Sequence, residues 1–486
     1  MTLNLYSFFH LNLAYSAIEE VDRPKVIKKC YWPLLRLVSS LSLPIGIELS
    51  GYTLETINKI DPNWVKELRK LIVSGQCEII GSGYSQIIGP LVPPDVTEIN
   101  LKIGNKIYQK ILGTKPKIAL INEQAFSSGI ISIYKLAGYK AIIMEWDNPY
   151  REHPEWDSEL SYFSQKTKSK NGKIINLIWN KSIGFQKFQR YVHGDLDLNE
   201  LLDYILCQLA DNDRAYPLYG NDVEIFDFRP GRYMTEGSIQ KEGEWNRINK
   251  LYDKLKKNNK VRFIKPSEVI NLQSKAFAGK KLILSSPGQP IPVKKQDKYN
   301  ILRWAVTGRN DLLINTRCWK IYESLNKSKK AKESDWKELC FLWSSDFRTH
   351  ITDKRWKKYI KQLTKMKKRW HKKDTYLNLG IHKPDENLKV KKNFDIQKKF
   401  SYRQIGRFLI IENYRFKIKL NLRKGMAIDS FIDLNKSKKA LFGTIDHGYF
   451  DDISFGADYY SGHLVFEAPG KQKVTDLTAV RPNINE

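Results

Sequence analysis

Lys117-Ile-Ala-Leu-Ile-Asn-Glu123-Gln-Ala-Phe-Ser127 decides how the first half of this chain folds. A short apolar run, too brief for a helix, ends in a carboxylate and small polar residues, and a helical pattern opens at Ser128. The same pattern recurs outward on both sides. Strand-like runs stand at Leu3–Phe9, Pro44–Leu49, Cys77–Gly81, Lys140–Met144, Ile174–Trp179 and Pro217–Asn221, with a weaker one at Val261–Ile264. Amphipathic stretches separate them. Asp61-Pro-Asn-Trp opens one helix, with Pro62 at a first-turn position that needs no N–H, and Leu198–Leu209 has apolar residues at helical spacing. Strand–helix alternation of this kind predicts an α/β fold with a parallel sheet over residues 1–275. Seven or eight such units either close into a barrel or stay open. In both cases the site lies just past the C-terminal ends of the strands.

Beyond a lysine-rich, Pro- and Gly-punctuated link at Ser285–Tyr299, the pattern changes. Residues 290–373, above all Ile301–Lys373, carry Trp, Leu and Lys at helical spacing and predict a helical bundle. From 376 to 486 the residues alternate, as in Phe408–Asn413 and Tyr414–Leu420, which predicts a C-terminal antiparallel β domain, sandwich-like.

The 486 residues are enough for two or three domains, and 41% hydrophobic with 12% aromatic residues fits a globular protein. The net charge of +29 raises the question of a polyanionic partner. The lysine runs at Lys365–Lys373 and Lys389–Lys392 fall at domain junctions, without zinc-finger spacing or an aromatic RNA-binding motif. They read as surface composition, and nucleic acid is not the expected partner. The five cysteines, at 30, 77, 207, 318 and 340, form no CxxC, which predicts reduced thiols and a cytoplasmic location. No basic leader precedes the first apolar residues, and no apolar run approaches the ~18 residues of a membrane span, so no membrane partner is expected.

Two segments carry candidate chemistry. Glu123 ends a strand and so stands at the rim of the sheet; taken alone it also reads as a helix-capping residue. Tyr216-Pro-Leu-Tyr-Gly-Asn-Asp222-Val-Glu224-Ile-Phe-Asp227-Phe-Arg229-Pro-Gly-Arg232 runs from a strand into an acidic cluster. Asp222 and Glu224 share one side of an extended segment, and crowding of carboxylates raises a pKa toward the range of a general acid. The alternative is a salt-bridged loop in which Arg229 and Arg232 neutralise the acids. Paired carboxylates are the minimal equipment for glycoside hydrolysis: one attacks the anomeric carbon and one protonates the leaving oxygen.

Four segments, in order, resemble the motifs of glycoside hydrolase family 57. They are Phe9-His10-Leu-Asn12; Gly75 to Leu91, with Tyr84 and Gln86; Ile121-Asn-Glu123; and Asn221-Asp222-Val-Glu224 with Pro230-Gly231. Ile45–Leu54, with Glu48, has the same look. The resemblance implies a (β/α)7-type parallel barrel, here followed by the helical bundle and the β domain. It also implies a retaining mechanism, no metal or other cofactor for the chemistry, and an oligo- or polysaccharide substrate, mostly α-glucan. It makes Glu123 the nucleophile and Asp222 the acid/base, and lines the sugar site with His10, Asn12, Glu48, Tyr84, Gln86, Trp146, Glu224 and Arg229. Trp146 either stacks on a sugar or caps the barrel. The chain departs from the family at Asn12-Leu13-Ala14, Ser85-Gln86-Ile87, Leu120-Ile121-Asn122 and Arg229, so the catalytic pair is retained while the residues that grip substrate differ. Arg229 beside the site suggests an acidic sugar. The polar, aromatic run Asp446–His463 reads as a substrate loop or as an acidic turn cluster, and Trp343–Arg348 with Arg355-Trp356 as structural. The rival readings are a catalytically inactive carbohydrate-binding protein and a metal-dependent polysaccharide deacetylase. The latter needs an Asp and two His at helical spacing.

Overall fold

The computed structural model describes residues 2–15, 17–169, 171–229, 238–239, 241–272, 279–286, 289, 291–294, 301–305, 310–348, 351–370, 400–422, 426–443, 465–466, 474–475 and 482. Ten strands build the first sheet: β1 (Leu3–Leu11), β2 (Ile45–Leu49), β3 (Cys77–Gly81), β4 (Ile118–Leu120), β5 (Ala141–Glu145), β6 (Gln165–Lys168), β7 (Ile174–Asn180), β8 (Arg214–Asp222), β9 (Val261–Phe263) and β10 (Lys281–Leu282). Their order is β10-β6-β7-β5-β4-β3-β2-β1-β8, with β9 also on β1. From β7 through β5, β4, β3, β2 and β1 to β8 every pairing is parallel, as the alternation predicts. The sequence reading missed β6, which runs antiparallel to β7, and β10.

The sheet curls around its own core. Tyr6 and Phe8 of β1, Ile80, Ile118, Ala141, Ile143, Ile178 and Ala215 come from six different strands and pack as one cluster, which places them on the concave face. Ile264 and Val269 close its lower end. The two limits of the parallel array, β7 and β8, share no ladder. The edge of β7 is occupied by β6, and at the rim the Asn180 amide Nδ2 donates to the Gly220 carbonyl at 2.9 Å. The barrel is therefore laced by backbone bonds around seven strands and joined by side chains across one seam.

Helices wrap the convex face. Pro62–Val73 begins where Pro62 predicts, with the Asp61 carboxylate accepting from the Trp64 N–H. In Pro94–Leu112, a Cβ at Gly104 would stand 2.5 Å from the Gly83 carbonyl carbon, and Gly83 itself has φ +82°. Glycine at both positions lets this helix lie directly on the loop that follows β3.

The bundle helices Asp311–Asn326, Glu333–Leu342 and Asp353–Trp370 share their core with the outer face of the barrel, through Ile314, Cys318, Leu339, Tyr359 and Leu363, while Leu302–Ala305 packs Trp304 and Ala305 with Ile88, Leu91 and Ala125. They also sit on the rim. Ser345 N donates to Gln86 O at 2.8 Å, Ser85 Oγ to Cys340 O at 2.7 Å, and the Arg355 guanidinium to Ala14 O and Ile18 O, both at 3.0 Å. A separate antiparallel sheet follows: β11 (Ser401–Ile405), β12 (Phe408–Glu412), β13 (Phe416–Asn421), β14 (Ala427–Asp433) and β15 (Phe442–Gly443), in sequential order. The run Asp446–His463 lies outside the described residues. Among the described residues no helix is long and apolar enough to cross a membrane.

Candidate active site

Strand alternation turns Tyr6 and Phe8 inward, so His10 also faces in, one layer higher, at the open rim. The register pairs His10 with Glu48 on β2 and with Asp222 on β8, which brings three predicted residues onto adjacent strand ends. His10 Nδ1 contacts Glu48 Oε2, and Nε2 lies 4.0 Å from Asp222 Oδ1 and 2.8 Å from the Gln86 side-chain amide. Burial alone would depress the His10 pKa. The charge and hydrogen bond of Glu48, joined by the charges of Asp222 and Glu224, instead lift it to about 9. At neutral pH the rim therefore holds a protonated imidazole beside the carboxyl groups of Glu48, Asp222 and Glu224.

The sign of the linkage gives a test. A folded-state pKa of about 9, against about 6.5 in the unfolded chain, makes the pair's contribution complete below pH ~6.5 and lost as pH rises through ~9. Its size is on the order of 3 kcal/mol. Urea melts between pH 6 and 9.5 are expected to show stability falling with pH in the wild type, and a flatter profile in Glu48→Gln. Equal slopes would remove this account of His10.

Glu224, two residues past β8, is held rather than open. Its Oε1 accepts from the Asn12 N–H at 2.6 Å and from the Tyr31 hydroxyl at 2.6 Å. Burial and the Asp222 charge raise its pKa, against the opposing pull of His10 and of these two donors. Asn12 faces two ways, because its Nδ2 donates to Asp346 Oδ1 at 2.7 Å. Asp346 is buried, and burial raises its pKa as well. Asp222 is the more open member of the cluster, with 24% of its side chain exposed.

Glu123 sits on the far arc, on the short turn Asn122–Gln124 that follows β4. Its φ is +52° and that of Gln124 is +50°, so two successive side-chain-bearing residues occupy the left-handed region. Such backbone costs about 1–3 kcal/mol per residue and persists only where surroundings impose it. Here Asn122 Nδ2 donates to Ile87 O at 3.1 Å, Phe126 N to Pro292 O at 3.0 Å, and Lys294 N to the Glu123 carbonyl at 3.0 Å. The Lys294 ammonium lies 3.1 Å from Glu123 Oε2.

The remaining predicted residues fall elsewhere. Tyr84 is buried against Tyr52. Trp146 is 3% exposed and enclosed by Tyr150, Trp179 and Trp156, with ring centroids 4.9–5.7 Å away, the arrangement of a residue capping the barrel. Beside it Glu145 ends β5, its oxygens accepting from Asn148 N and Ser182 Oγ, each at 2.8 Å; burial and Asp147 push its pKa up to about 8. Arg229 donates to Glu244 Oε2 at 3.0 Å and contacts Oε1, which also pairs with His193 at 2.9 Å. Against the cost of burial, these partners and the Asp227 N–H hold the Glu244 carboxyl at about 2. The charge of Arg229 is thus met by Glu244. Sequence reasoning did not single out Tyr31 or Lys294 and read the segment holding Asp346 as structural.

An alpha-amylase of Pyrococcus furiosus is 21% identical over 246 residues, covering 50% of this chain and 35% of that protein. A 4-alpha-glucanotransferase of Thermococcus litoralis is 20% identical over 244 residues, with coverages of 50% and 35%. The chain thus matches about a third of the length of these curated relatives. The crystal structure of the Thermococcus litoralis 4-alpha-glucanotransferase superposes with a TM-score of 0.58 at 14% identity, over 89% of this chain and 67% of that one. The GH57-type branching enzyme of Pyrococcus horikoshii does so with 0.56 at 13% identity, over 75% and 88%. At such identities the superpositions establish the fold. The family model described as Glycosyl hydrolase family 57 matches residues 4–284, more than half of the chain, and the chain belongs to that family.

Proposed function

We propose that the chain cleaves or transfers α-linked glucan units with retention of configuration, with Glu123 as nucleophile and Asp222 as acid/base. The observation that carries this reading is the placement of both carboxylates at the C-terminal rim of one curled parallel sheet. Asp222 stands partly open beside an imidazolium, and Glu123 is fixed by a left-handed turn. The relatives named alpha-amylase and 4-alpha-glucanotransferase support an α-glucan as substrate.

In the first step a Glu123 oxygen bonds to the anomeric carbon while Asp222 gives its proton to the departing glycosidic oxygen. In the second, water or a sugar hydroxyl attacks the same carbon, its proton passes to Asp222, and the Glu123 carboxylate leaves. Water gives hydrolysis and sugar gives transfer. His10, Glu48 and Gln86 form the rim around Asp222, and Asn12 and Glu224 connect it to Asp346. Five free thiols suit a reducing compartment, and the cytoplasm is the location proposed with this activity. Incubation with 5-fluoro-α-glucosyl fluoride followed by peptide mapping is expected to find the label on Glu123. A label on any other residue would overturn the assignment.

A further inference from the structure

The segment Ile291–Lys294 does more than connect barrel to bundle. Ile291 and Val293 are buried with Ile88, Leu91 and Ala125 beside the nucleophile loop. Main-chain bonds tie it down on both sides of the Glu123 side chain: Phe126 N donates to Pro292 O and Lys294 N to Glu123 O, each at 3.0 Å. The Asn148 amide reaches Val293 O from the neighbouring strand end. This anchoring aims the Lys294 ammonium at Glu123 Oε2, 3.1 Å away, with the Glu123 side chain only 15% exposed.

We infer that Lys294 is the electrostatic partner of the nucleophile and shortens the life of the glycosyl-enzyme, favouring its breakdown over its formation. The inference rests on the assignment of Glu123 above. When Glu123 Oε1 bonds to the anomeric carbon, the bond to the leaving group breaks and the carboxylate charge disappears into a neutral ester. Lys294 then faces a neutral ester where the Glu123 carboxylate stood, so the ion pair stabilises the starting state and resists this step. In the second step the bond between carbon and Oε1 breaks, and its electron pair returns to the carboxylate. An oxygen of water or sugar replaces it and yields its proton to Asp222. The charge reappears beside the ammonium, and the pair lowers this barrier. Lys294 is about one-third exposed, so screening keeps the effect near about tenfold.

The two half-reactions are separable with 5-fluoro-α-glucosyl fluoride as the probe. Fluoride release reads formation of the trapped enzyme, and recovery of activity in added maltose reads its breakdown. Lys294→Met, which keeps the main-chain bonds and the aliphatic stem, is expected to trap faster than wild type and to reactivate about tenfold more slowly. Lys294→Arg, which keeps the charge, is expected to stay within about threefold of wild type in both. Reactivation of Lys294→Met at the wild-type rate would overturn the inference. So would equal slowing of both steps, the signature of a latch that merely holds the loop. A wild-type label away from Glu123 removes the nucleophile assignment itself. A label on Glu123 with unchanged kinetics in Lys294→Met removes the inference alone.

Discussion

Glu123→Gln is expected to lower kcat on maltoheptaose by about 10⁴-fold or more, with the fold intact by circular dichroism. The substitution is nearly isosteric, so the left-handed turn and the main-chain bonds to Phe126 and Lys294 persist. What disappears is the anionic oxygen that takes the anomeric carbon, and an amide does not replace it. A small anion supplies the test that a merely damaged site fails. Glu123→Gly opens space at a position whose φ of +52° suits glycine, and azide entering there attacks from the vacated side. The product expected is the β-glycosyl azide, inverted relative to an α-linked substrate. Full activity in Glu123→Gln, by steady-state kinetics, would remove Glu123 from the mechanism.

Asp222→Asn is expected to separate substrates by their leaving groups. A glycosidic oxygen departs only when protonated, so kcat/KM on maltoheptaose should fall by about 10²–10⁴. Fluoride leaves without a proton, so release from α-maltosyl fluoride should show a first turnover close to the wild-type rate, then a slow steady state. The slow phase follows from the loss of the base that activates water. Azide needs no base and is expected to restore turnover with an α-glycosyl azide as product. Equal losses on both substrates would sink the acid/base role. Asp222 is distinguished from Glu224 in the same experiment. Glu224 is committed to the Asn12 N–H and the Tyr31 hydroxyl, so Glu224→Gln should weaken both substrates alike.

Much of this was legible in the sequence where the physics is local. Cys77–Gly81 is strand from end to end as read, because an apolar run of strand length is bounded by polar residues and glycines. His10, Glu48 and Asp222 came together because strand ends in a parallel sheet share one rim, whatever the register. β6 was not visible: Gln165 and Thr167 are buried but polar, so nothing apolar alternates there. β8 starts earlier than its apolar residues suggest, because Arg214 is tolerated inside the strand by Glu159 at 2.7 Å. Asp346 and Lys294 were out of reach for a different reason. Asp346 meets Asn12 across 334 residues, a contact that no spacing rule encodes. Arg229 shows the limit from the other side. The salt-bridged alternative was in view, but the partner is Glu244, 15 residues on, rather than the acids next to it.

The seam between β7 and β8 bears on the one dimension a two-carboxylate mechanism must keep constant. From β8, which ends in Asp222, to β4, which leads into the turn that holds Glu123, the sheet offers two routes. One runs through β1, β2 and β3 and is laddered at every step; the other crosses the seam, where Asn180 and Gly220 meet without a ladder. Backbone ladders set a fixed spacing of about 4.8 Å per strand, whereas a side-chain contact tolerates slip. The laced arc therefore acts as the gauge for the distance between the two carboxylates. Any widening of the cylinder is expected first at that seam rather than along the laced arc.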